Sequence, residues 1–464
     1  MSFDSLGYLL FLPLIVAAYR LCPAKMRWCV LLAGSYFFYM QWNAELVWLI
    51  FGVTALTWAA GLLVEQLTEQ RARRILTGVT AACCMGLLGY FKYFTFLTES
   101  LSALSVWLGG GAFRTWEIIL PVGVSFYTFQ AMSYVLDVGR GRLRAERHFG
   151  YYALYVSFFP QLVAGPIERT ENLLPQLRAH KNPSREDMRQ GVRLLLSGFF
   201  RKVVIADFAG TFVERIYSLS APDGAAVCIA TMLFAIQIYC DFSGYSEIAA
   251  GSARFLGVKL MRNFERPYLS GSIREFWRRW HISLTTWFTD YVYIPLGGSR
   301  RGLGRQLGAT LIVFALSGLW HGAAWTFVVW GLMHGAAMCA EVLIRRTRAR
   351  NMIGRGFGRA AMLAFVCLTW IFFRSESMTQ AWMLCGRLFS AWDWNAALAQ
   401  LGMTASDGVR IALTAMMFPA LHRLSLTDGR EGDMTYVLFV LTIALAWLVR
   451  LENHAVSAFI YFQF

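Results

Sequence analysis

Residues 305–345 read RQLGATLIVFALSGLWHGAAWTFVVWGLMHGAAMCAEVLIR and consist of two apolar runs around the turn GLWHGAAW at 318–325. The runs Leu307–Leu319 and Ala323–Ile344 approach the ~20 residues that a helix needs to cross a hydrocarbon core. Basic residues bound the stretch on both sides, as is typical of loops on the cytoplasmic face of a membrane. The stretch predicts a membrane-inserted helical hairpin whose two ends face the cytoplasm.

The rest of the chain repeats this pattern of long apolar runs. Of its 464 residues, 57% are hydrophobic and only 15% are charged, against about 25% charged in soluble proteins. The further runs are Leu46–Val64, Ile75–Leu97, Ile118–Leu136, Ala225–Tyr239 and Tyr436–Val449. This composition predicts an all-α polytopic membrane protein, a single membrane domain over 1–464 with about eleven spanning helices.

Basic clusters predict how the chain is oriented in the bilayer. The N-terminal stretch begins with Asp4 rather than a basic leader and lacks a small-residue cleavage site, so we interpret it as a retained first helix. Basic residues follow the first, third and fifth predicted helices, at 20–27, 71–74 and 140–147. Because basic loops face the cytoplasm, the N-terminus is predicted to be extracytoplasmic.

Two apolar segments have basic loops on both sides. Residues 149–166 contain several helix breakers, and residues 283–298 lie between two arginine-rich loops. A segment that enters the bilayer and returns to the same face explains both, provided that protein or water shelters its backbone. The stretch WRRWHISLTTWF at 277–288 would then open a re-entrant element at the cytoplasmic face.

The net charge of +15 comes mostly from arginines between the apolar runs. That placement fits contact with the headgroups of the lipid bilayer better than a nucleic-acid groove, so we expect no nucleic-acid partner. The nine cysteines contain no CxxC motif and are expected to be buried and unpaired. The histidines form no HxxxH or HExxH motif, so we expect no metal site.

Among the seven histidines, His321 is the first candidate for chemistry. It lies in the apolar turn of the hairpin, about 24 Å from the cytoplasmic start if the run is helical. Gly318 and Gly322 allow close backbone approach, while Trp320 and Trp325 are expected to form the walls of a pocket. Desolvation keeps a histidine neutral, as a general base must be. A histidine that only hydrogen bonds a neighbouring helix is the open alternative.

His281 is the second candidate. On a helix it would lie between Trp277 at i−4 and Thr285 at i+4, either as an interfacial histidine or as a functional one. A second polar group can orient a base, and His281 could do this for His321.

The other ionisable residues in apolar sequence are expected to have structural roles. His334 is expected to pack or to support the site from behind. Asp241 is expected to pair with an arginine or to cap a helix, and Asp290 to play a similar part in the re-entrant segment. The remaining histidines are expected to be surface groups: His148, His180, His422 and His454.

Several long stretches resemble one family. They are FFPQLVAGPIER (158–169), NFERPYLSGSIREFWRRWHISLTTWFTDYVYIPLGGSRRG (263–302) and LSGLWHGAAWTFVVWGLMHG (316–335), with further matches at 31–42, 120–141, 201–207, 237–257 and 459–464. The chain resembles a membrane-bound O-acyltransferase (MBOAT) of the bacterial polysaccharide O-acetyltransferase branch. The likeness runs essentially from end to end.

The resemblance implies the MBOAT fold, with a central tunnel, in the bacterial cytoplasmic (inner) membrane. The family's principal catalytic histidine falls on His321 and its second polar position on His281. No bound cofactor is implied; acetyl-CoA or a similar acyl thioester would enter from the cytoplasm as the donor. The substrate-binding residues would be Trp277, Arg278, Arg279, Trp280, Trp320 and Trp325, with His334 and Asp290 behind them.

The resemblance also implies partners. The acceptor would be an extracytoplasmic polysaccharide, or a carrier that delivers the acetyl group, and a periplasmic SGNH-type acetyltransferase would be the partner protein. Two alternatives stay open from the sequence. One is transfer of D-alanine, or acyl transfer to a lipid or protein, on the same fold; the other is a non-catalytic polysaccharide export subunit.

Overall fold

The computed structural model describes residues 1–414, apart from 117, 119, 164, 347–354, 391 and 413. The predicted apolar run Tyr436–Val449 and the histidines His422 and His454 lie outside the described residues. Within the described part, every regular element is a helix. The predicted all-α class is confirmed.

The chain divides into two compact units, and the first comprises Met1–Gly191 and Ala249–Met261. Its helices are α1 (Leu6–Leu21), α2 (Arg27–Met40), α3 (Val47–Gln66), α4 (Gln70–Leu88), α5 (Phe94–Trp107), α6 (Val124–Gly139), α7 (Phe149–Ser157), α8 (Phe159–Leu162) and α9 (Thr170–Arg178). Short 3-10 turns (Ala24–Met26, Ala44–Leu46) and a π-helical turn (Gly89–Tyr93) join some of them. Helices α3 and α4 pack on α6, which is buried over most of its length.

The second unit comprises Val192–Ile248 and the chain from Arg262 onward. Its helices are α10 (Arg185–Phe199), α11 (Asp207–Tyr217), α12 (Gly224–Arg254), α13 (Ile273–Arg279), α14 (Ile282–Phe288), α15 (Leu303–His321), α16 (Trp325–Ile344), α17 (Arg355–Arg374), α18 (Met378–Arg387) and α19 (Trp394–Leu401). Between them lie two π-helical turns (Phe200–Ala206, Thr289–Tyr293) and a 3-10 turn (Pro267–Leu269). The division between the units falls within α10 and α12.

Five helical stretches of the described chain are long and apolar enough to cross a membrane. They are Ala44–Gln66, Gln70–Trp107, Gly224–Arg254, Leu303–His321 and Trp325–Ile344. The last two are α15 and α16, so the hairpin predicted at 305–345 is present. The predicted total of about eleven spans stays a prediction.

Neither segment predicted to be re-entrant forms a long helix. Residues 149–166 contain only α7 and α8, and residues 283–298 contain α14 and the π-helical turn Thr289–Tyr293. Each piece is far shorter than the ~20 residues of a spanning helix. The chain is therefore broken at both places where the sequence predicts a return.

Glycines bring α15 and α16 into close contact. A Cβ built on Gly318 would overlap the carbonyl oxygen of Phe327, and one built on Gly331 would overlap the carbonyl oxygen of Phe314. Both glycines are thus required by the approach of the two backbones. This packing fixes the end of α15, where His321 lies.

Asp241 forms an ion pair as predicted, but its partner is a lysine and not the expected arginine. Its carboxylate lies 2.7 Å from the Lys202 ammonium, which also lies 2.8 Å from Asp207. Lys202 belongs to the π-helical turn after α10 and is almost completely buried. A charge buried to this extent needs such partners, so the pairs tie α12 to this turn.

Candidate active site

His321 is the last residue of α15. The N–H of Gly322 still bonds back to the Gly318 carbonyl, and the helix ends because the backbone of Gly322 is extended. The imidazole is 2% exposed. It packs against the rings of Trp320, Trp330 and Phe373, with centroids 5.1, 5.0 and 5.4 Å away. Three aromatic rings therefore surround the histidine.

His281 lies between two short helices and not within one. Helix α13 ends at Arg279 and α14 begins at Ile282, while His281 has a left-handed backbone with φ 42° and ψ 55°. The prediction that Trp277 and Thr285 flank it along one helix is therefore wrong. The helix breaks because a neighbouring loop takes the hydrogen bonds on both sides of the kink: Glu265 N–H donates to the Arg279 carbonyl, and Ile282 N–H donates to the Asn263 carbonyl.

The kink directs the His281 ring into the core of the second unit. The side chain is completely buried, and its ring lies 4.7 Å from that of Phe242 and 5.7 Å from that of Trp320. Burial lowers the pKa of His281 well below its usual value, so the imidazole is neutral.

The structure brings His281 and His321 together. Their ring centroids are 6.1 Å apart and their planes make an angle of 62°. Trp320 contacts both rings. Two histidines forty residues apart in sequence thus share one aromatic-lined site.

His334 has a different place. Its Nδ1 accepts a hydrogen bond from the indole N–H of Trp277 at 3.3 Å, and its Nε2 lies 3.0 Å from the Thr369 hydroxyl. That hydroxyl donates its proton to the Val366 carbonyl, so it accepts from His334. Both ring nitrogens are therefore occupied in a neutral imidazole, which fits the predicted packing role.

A cavity of about 340 Å³ lies beside α15. Its wall includes the guanidinium-bearing residues Arg274 and Arg278, the indole of Trp277, and the hydroxyl-bearing residues Thr310 and Ser317. Ser317 precedes His321 by four residues, one turn of α15. The cavity therefore has a basic side and reaches to within one helical turn of the histidine pair.

Four residues predicted to bind substrate or to support the site do not line this cavity. Arg279 pairs with Glu275 at 2.7 Å, and Trp280 is completely buried against Trp370 at 5.2 Å between centroids. Trp325 begins α16 with its side chain 55% exposed, so it does not wall a buried pocket. Asp290 lies in the π-helical turn after α14 and is half-buried.

Other residues at the site were not predicted from the sequence. Trp330 and Phe373 take the wall position expected of Trp325, and Arg274 rather than Arg279 joins Arg278 at the cavity. Asn263 holds the kink at His281 from a distant loop. The direction in which a residue points from an aromatic-rich helix cannot be read from the sequence. Asn263 lies among charged residues, between Arg262 and Phe264, where nothing in the sequence distinguishes it.

The surface histidines are partly as predicted. His148 is exposed and caps the start of α7, while His180 is half-buried and bonds to the Tyr151 hydroxyl at 2.6 Å. All nine cysteines are free thiols, but only Cys84, Cys240 and Cys385 are buried, five others are partly exposed and Cys83 is exposed. The prediction that they are buried is therefore wrong for most of them.

Comparisons with known proteins agree with this architecture. Residues 142–381 match the model of the MBOAT, membrane-bound O-acyltransferase family. The chain is 38% identical to the probable alginate O-acetylase AlgI of Azotobacter vinelandii, over 100% of both chains. It is 32% identical to the peptidoglycan O-acetyltransferase of Helicobacter pylori, over 79% of this chain and 74% of that one.

A more distant likeness involves a different acyl group. The chain is 26% identical to the teichoic acid D-alanyltransferase of Bacillus subtilis, over 48% of this chain and 59% of that one. The family match contains both His281 and His321. Since the likeness to O-acetylases extends over the full length, the chain belongs to the membrane-bound O-acyltransferase family and is an O-acyltransferase.

Proposed function

We propose that the protein transfers an acetyl group from a cytoplasmic thioester to a hydroxyl of an extracytoplasmic polysaccharide, or to a carrier that delivers it. The observation that carries this proposal is the pair His281 and His321, both buried, with ring centroids 6.1 Å apart. Paired ionisable groups that are buried away from water suit chemistry better than packing.

His321 is the general base. It takes the proton of the acceptor hydroxyl as the oxygen attacks the thioester carbonyl, an ester C–O bond forms and the C–S bond breaks. The proton then passes to the departing thiolate, which leaves as the thiol. The imidazolium that forms in between lies at the carbonyl end of α15, where a helix favours positive charge.

His281 acts beside it as a neutral group. A neutral imidazole can donate one hydrogen bond, and a donor aimed at the thioester oxygen would stabilise the charge that develops there. Alternatively its acceptor nitrogen orients the attacking hydroxyl. Either role needs a fixed ring, and the contacts with Phe242 and Trp320 supply it.

The donor binds in the cavity beside α15. Its volume of about 340 Å³ falls within the range of small-molecule pockets, and Arg274 and Arg278 on its wall match the phosphates of acetyl-CoA or a similar thioester. This side would face the cytoplasm, in agreement with the arginine-rich loops around it. The N-terminus would then be extracytoplasmic and the membrane the bacterial inner membrane.

The acceptor side rests on the relatives. The names of two relatives specify O-acetylation of alginate and of peptidoglycan, so a polysaccharide is the acceptor class we propose. A periplasmic SGNH-type acetyltransferase as partner follows from the family resemblance. D-alanyl transfer is the second candidate, supported by the likeness to teichoic acid D-alanyltransferases; its lower identity and shorter coverage place it behind acetyl transfer.

The test is the acetyl content of the secreted polysaccharide in cells that carry the wild-type gene or one variant. His321→Ala is expected to abolish acetylation and His281→Ala to reduce it strongly. The matched control is His148→Asn, an exposed histidine whose capping role asparagine can fill. Full acetylation with His321→Ala, at equal protein level, would refute the assignment of His321 as the base.

A further inference from the structure

Helix α14 begins without a cap from its own chain segment. The first N–H groups of a helix have no partner within it, and a polar side chain at the preceding position usually bonds to them. Here that position is held by His281, whose side chain makes no such bond. The imidazole is thereby left to face Phe242, Trp320 and His321.

Asn263 supplies the missing cap from another part of the chain. Its main-chain carbonyl accepts from Ile282 N–H at 2.9 Å. Its Oδ1 accepts from the N–H of Ser283 at 3.3 Å and from the Ser283 hydroxyl at 2.7 Å. The amide is 3% exposed, and its Nδ2 lies 3.4 Å from the Ser246 hydroxyl of α12. One buried asparagine therefore binds the first two residues of α14.

The same loop also holds the other side of the kink. Glu265 N–H donates to the carbonyl of Arg279, the last residue of α13, at 2.9 Å. The loop 263–265 thus spans the break between α13 and α14. A left-handed backbone at a residue other than glycine carries a conformational cost and persists only where the surroundings impose it. These hydrogen bonds are what imposes it on His281.

We propose that Asn263 is the positioning residue for His281: by capping α14 in place of the histidine, it holds the left-handed backbone that aims the imidazole at His321. This proposal rests on the proposed function of His281. Loss of the Asn263 side chain removes its bonds to Ser283 and its contact with Ser246, so that only the two main-chain bonds hold the break and the kink loosens. The ring of His281 then leaves its place between Phe242 and Trp320.

The experiment is a double-mutant cycle on the full-length protein in inverted membrane vesicles, with radiolabelled acetyl-CoA as donor. Asn263→Ala should lower kcat about 10- to 100-fold, as expected for a displaced catalytic group, with KM for acetyl-CoA unchanged. Asn263→Asp keeps the acceptor at Oδ and should stay within a few-fold of wild type. The matched control is Asn172→Ala, which removes an asparagine hydrogen bonded to Glu168 at 2.6 Å in the first unit; its kcat should not change.

The cycle separates positioning from general damage. In the His281→Ala background, Asn263→Ala should have almost no further effect on the residual rate, because residues that act as a unit are not additive. If His281→Ala is impaired and the rate losses of the two single variants multiply in the double variant, the role of Asn263 is overturned and the proposed function stands. Full activity of His281→Ala would overturn the roles proposed for Asn263 and for His281, whereas acetyl transfer with His321 as the base would stand. Monodispersity in detergent verifies folding, and Ser283→Ala, which removes one bond from the helix side, should give a smaller loss of the same kind.

Discussion

His281 and His321 meet at ring centroids 6.1 Å apart, although one lies at a kink between two short helices and the other ends a long one. Trp320 contacts both imidazoles and so fixes their relative position. The site therefore depends on two separate structural devices, the glycine packing of the hairpin and the loop that holds the kink. Each can be perturbed by itself.

Glycine packing of α15 on α16 should be required for both stability and activity. Gly318→Ala places a methyl group against the Phe327 carbonyl, and such overpacking costs about 1–3 kcal/mol. The matched control is Gly308→Ala on the same helix, where a Cβ meets nothing within 4 Å. That change should be neutral or stabilise the helix by up to about 1 kcal/mol. Thermal unfolding in detergent measures the stability of the two variants. Equal melting temperatures for Gly318→Ala and Gly308→Ala would contradict the role of the close packing.

His334 should matter for stability more than for catalysis. Thr369→Val keeps the shape of the side chain but leaves the His334 Nε2–H without its acceptor, at a cost of about 1–3 kcal/mol. We expect a lower melting temperature and a kcat within a few-fold of wild type. Thr54→Val, another buried threonine whose hydroxyl bonds within its own helix α3, serves as the control. A large fall in kcat at unchanged stability would instead place His334 in the reaction.

Donor affinity should depend on the two cavity arginines. Arg274→Gln and Arg278→Gln should each raise KM for acetyl-CoA with little change in kcat, because they remove binding made equally in ground and transition states. Arg279→Gln is the control, since that guanidinium pairs with Glu275 away from the cavity lining. Initial rates against acetyl-CoA concentration decide the matter. The assignment fails if Arg279→Gln raises KM as much as the other two.

Glu168 should make stability depend on pH. The carboxyl is completely buried, and burial raises its pKa from 4.5 to about 7 although Met261 N–H and Asn172 bond to it. Between these values the folded state keeps a proton that the unfolded state has lost, so stability falls as pH rises from about 4.5 to 7 and is level above. The shift corresponds to a change on the order of 3 kcal/mol.

Glu168→Gln should remove this decline. Melting temperatures of the two proteins from pH 5 to pH 8 provide the comparison. As pH rises, the melting temperature of the wild type should fall relative to that of Glu168→Gln. Parallel profiles would show that Glu168 does not titrate in this window.

The sequence predicted those parts of the fold that depend on local composition. Apolar length gave the hairpin of α15 and α16, and the glycines beside His321 indicated its close packing. Charge and helix breakers marked 149–166 and 283–298 as segments that do not form a long helix. Even the pairing of His281 with His321 followed, with help from the family resemblance.

The sequence could not predict features that depend on distant contacts. Helical spacing predicted that Trp277 and Thr285 flank His281 on one helix. That prediction failed because the helix is broken by hydrogen bonds from the loop near Asn263, which the local sequence does not reveal. Likewise, the sequence does not distinguish Trp325 from Trp330. The orientation of α16 about its axis leaves Trp325 exposed and packs Trp330 against His321. The positions of these side chains depend on tertiary hydrogen bonds and on the orientation of each helix about its axis.

The role proposed for His321, as the base of an acetyl transfer across the membrane, can be tested directly. Inverted vesicles that carry wild type, His321→Ala or His281→Ala receive radiolabelled acetyl-CoA, and the label that reaches an acceptor in the vesicle lumen is counted. We predict lumenal label with wild type, none with His321→Ala and a strongly reduced amount with His281→Ala. Equal lumenal label from all three folded proteins would contradict the account.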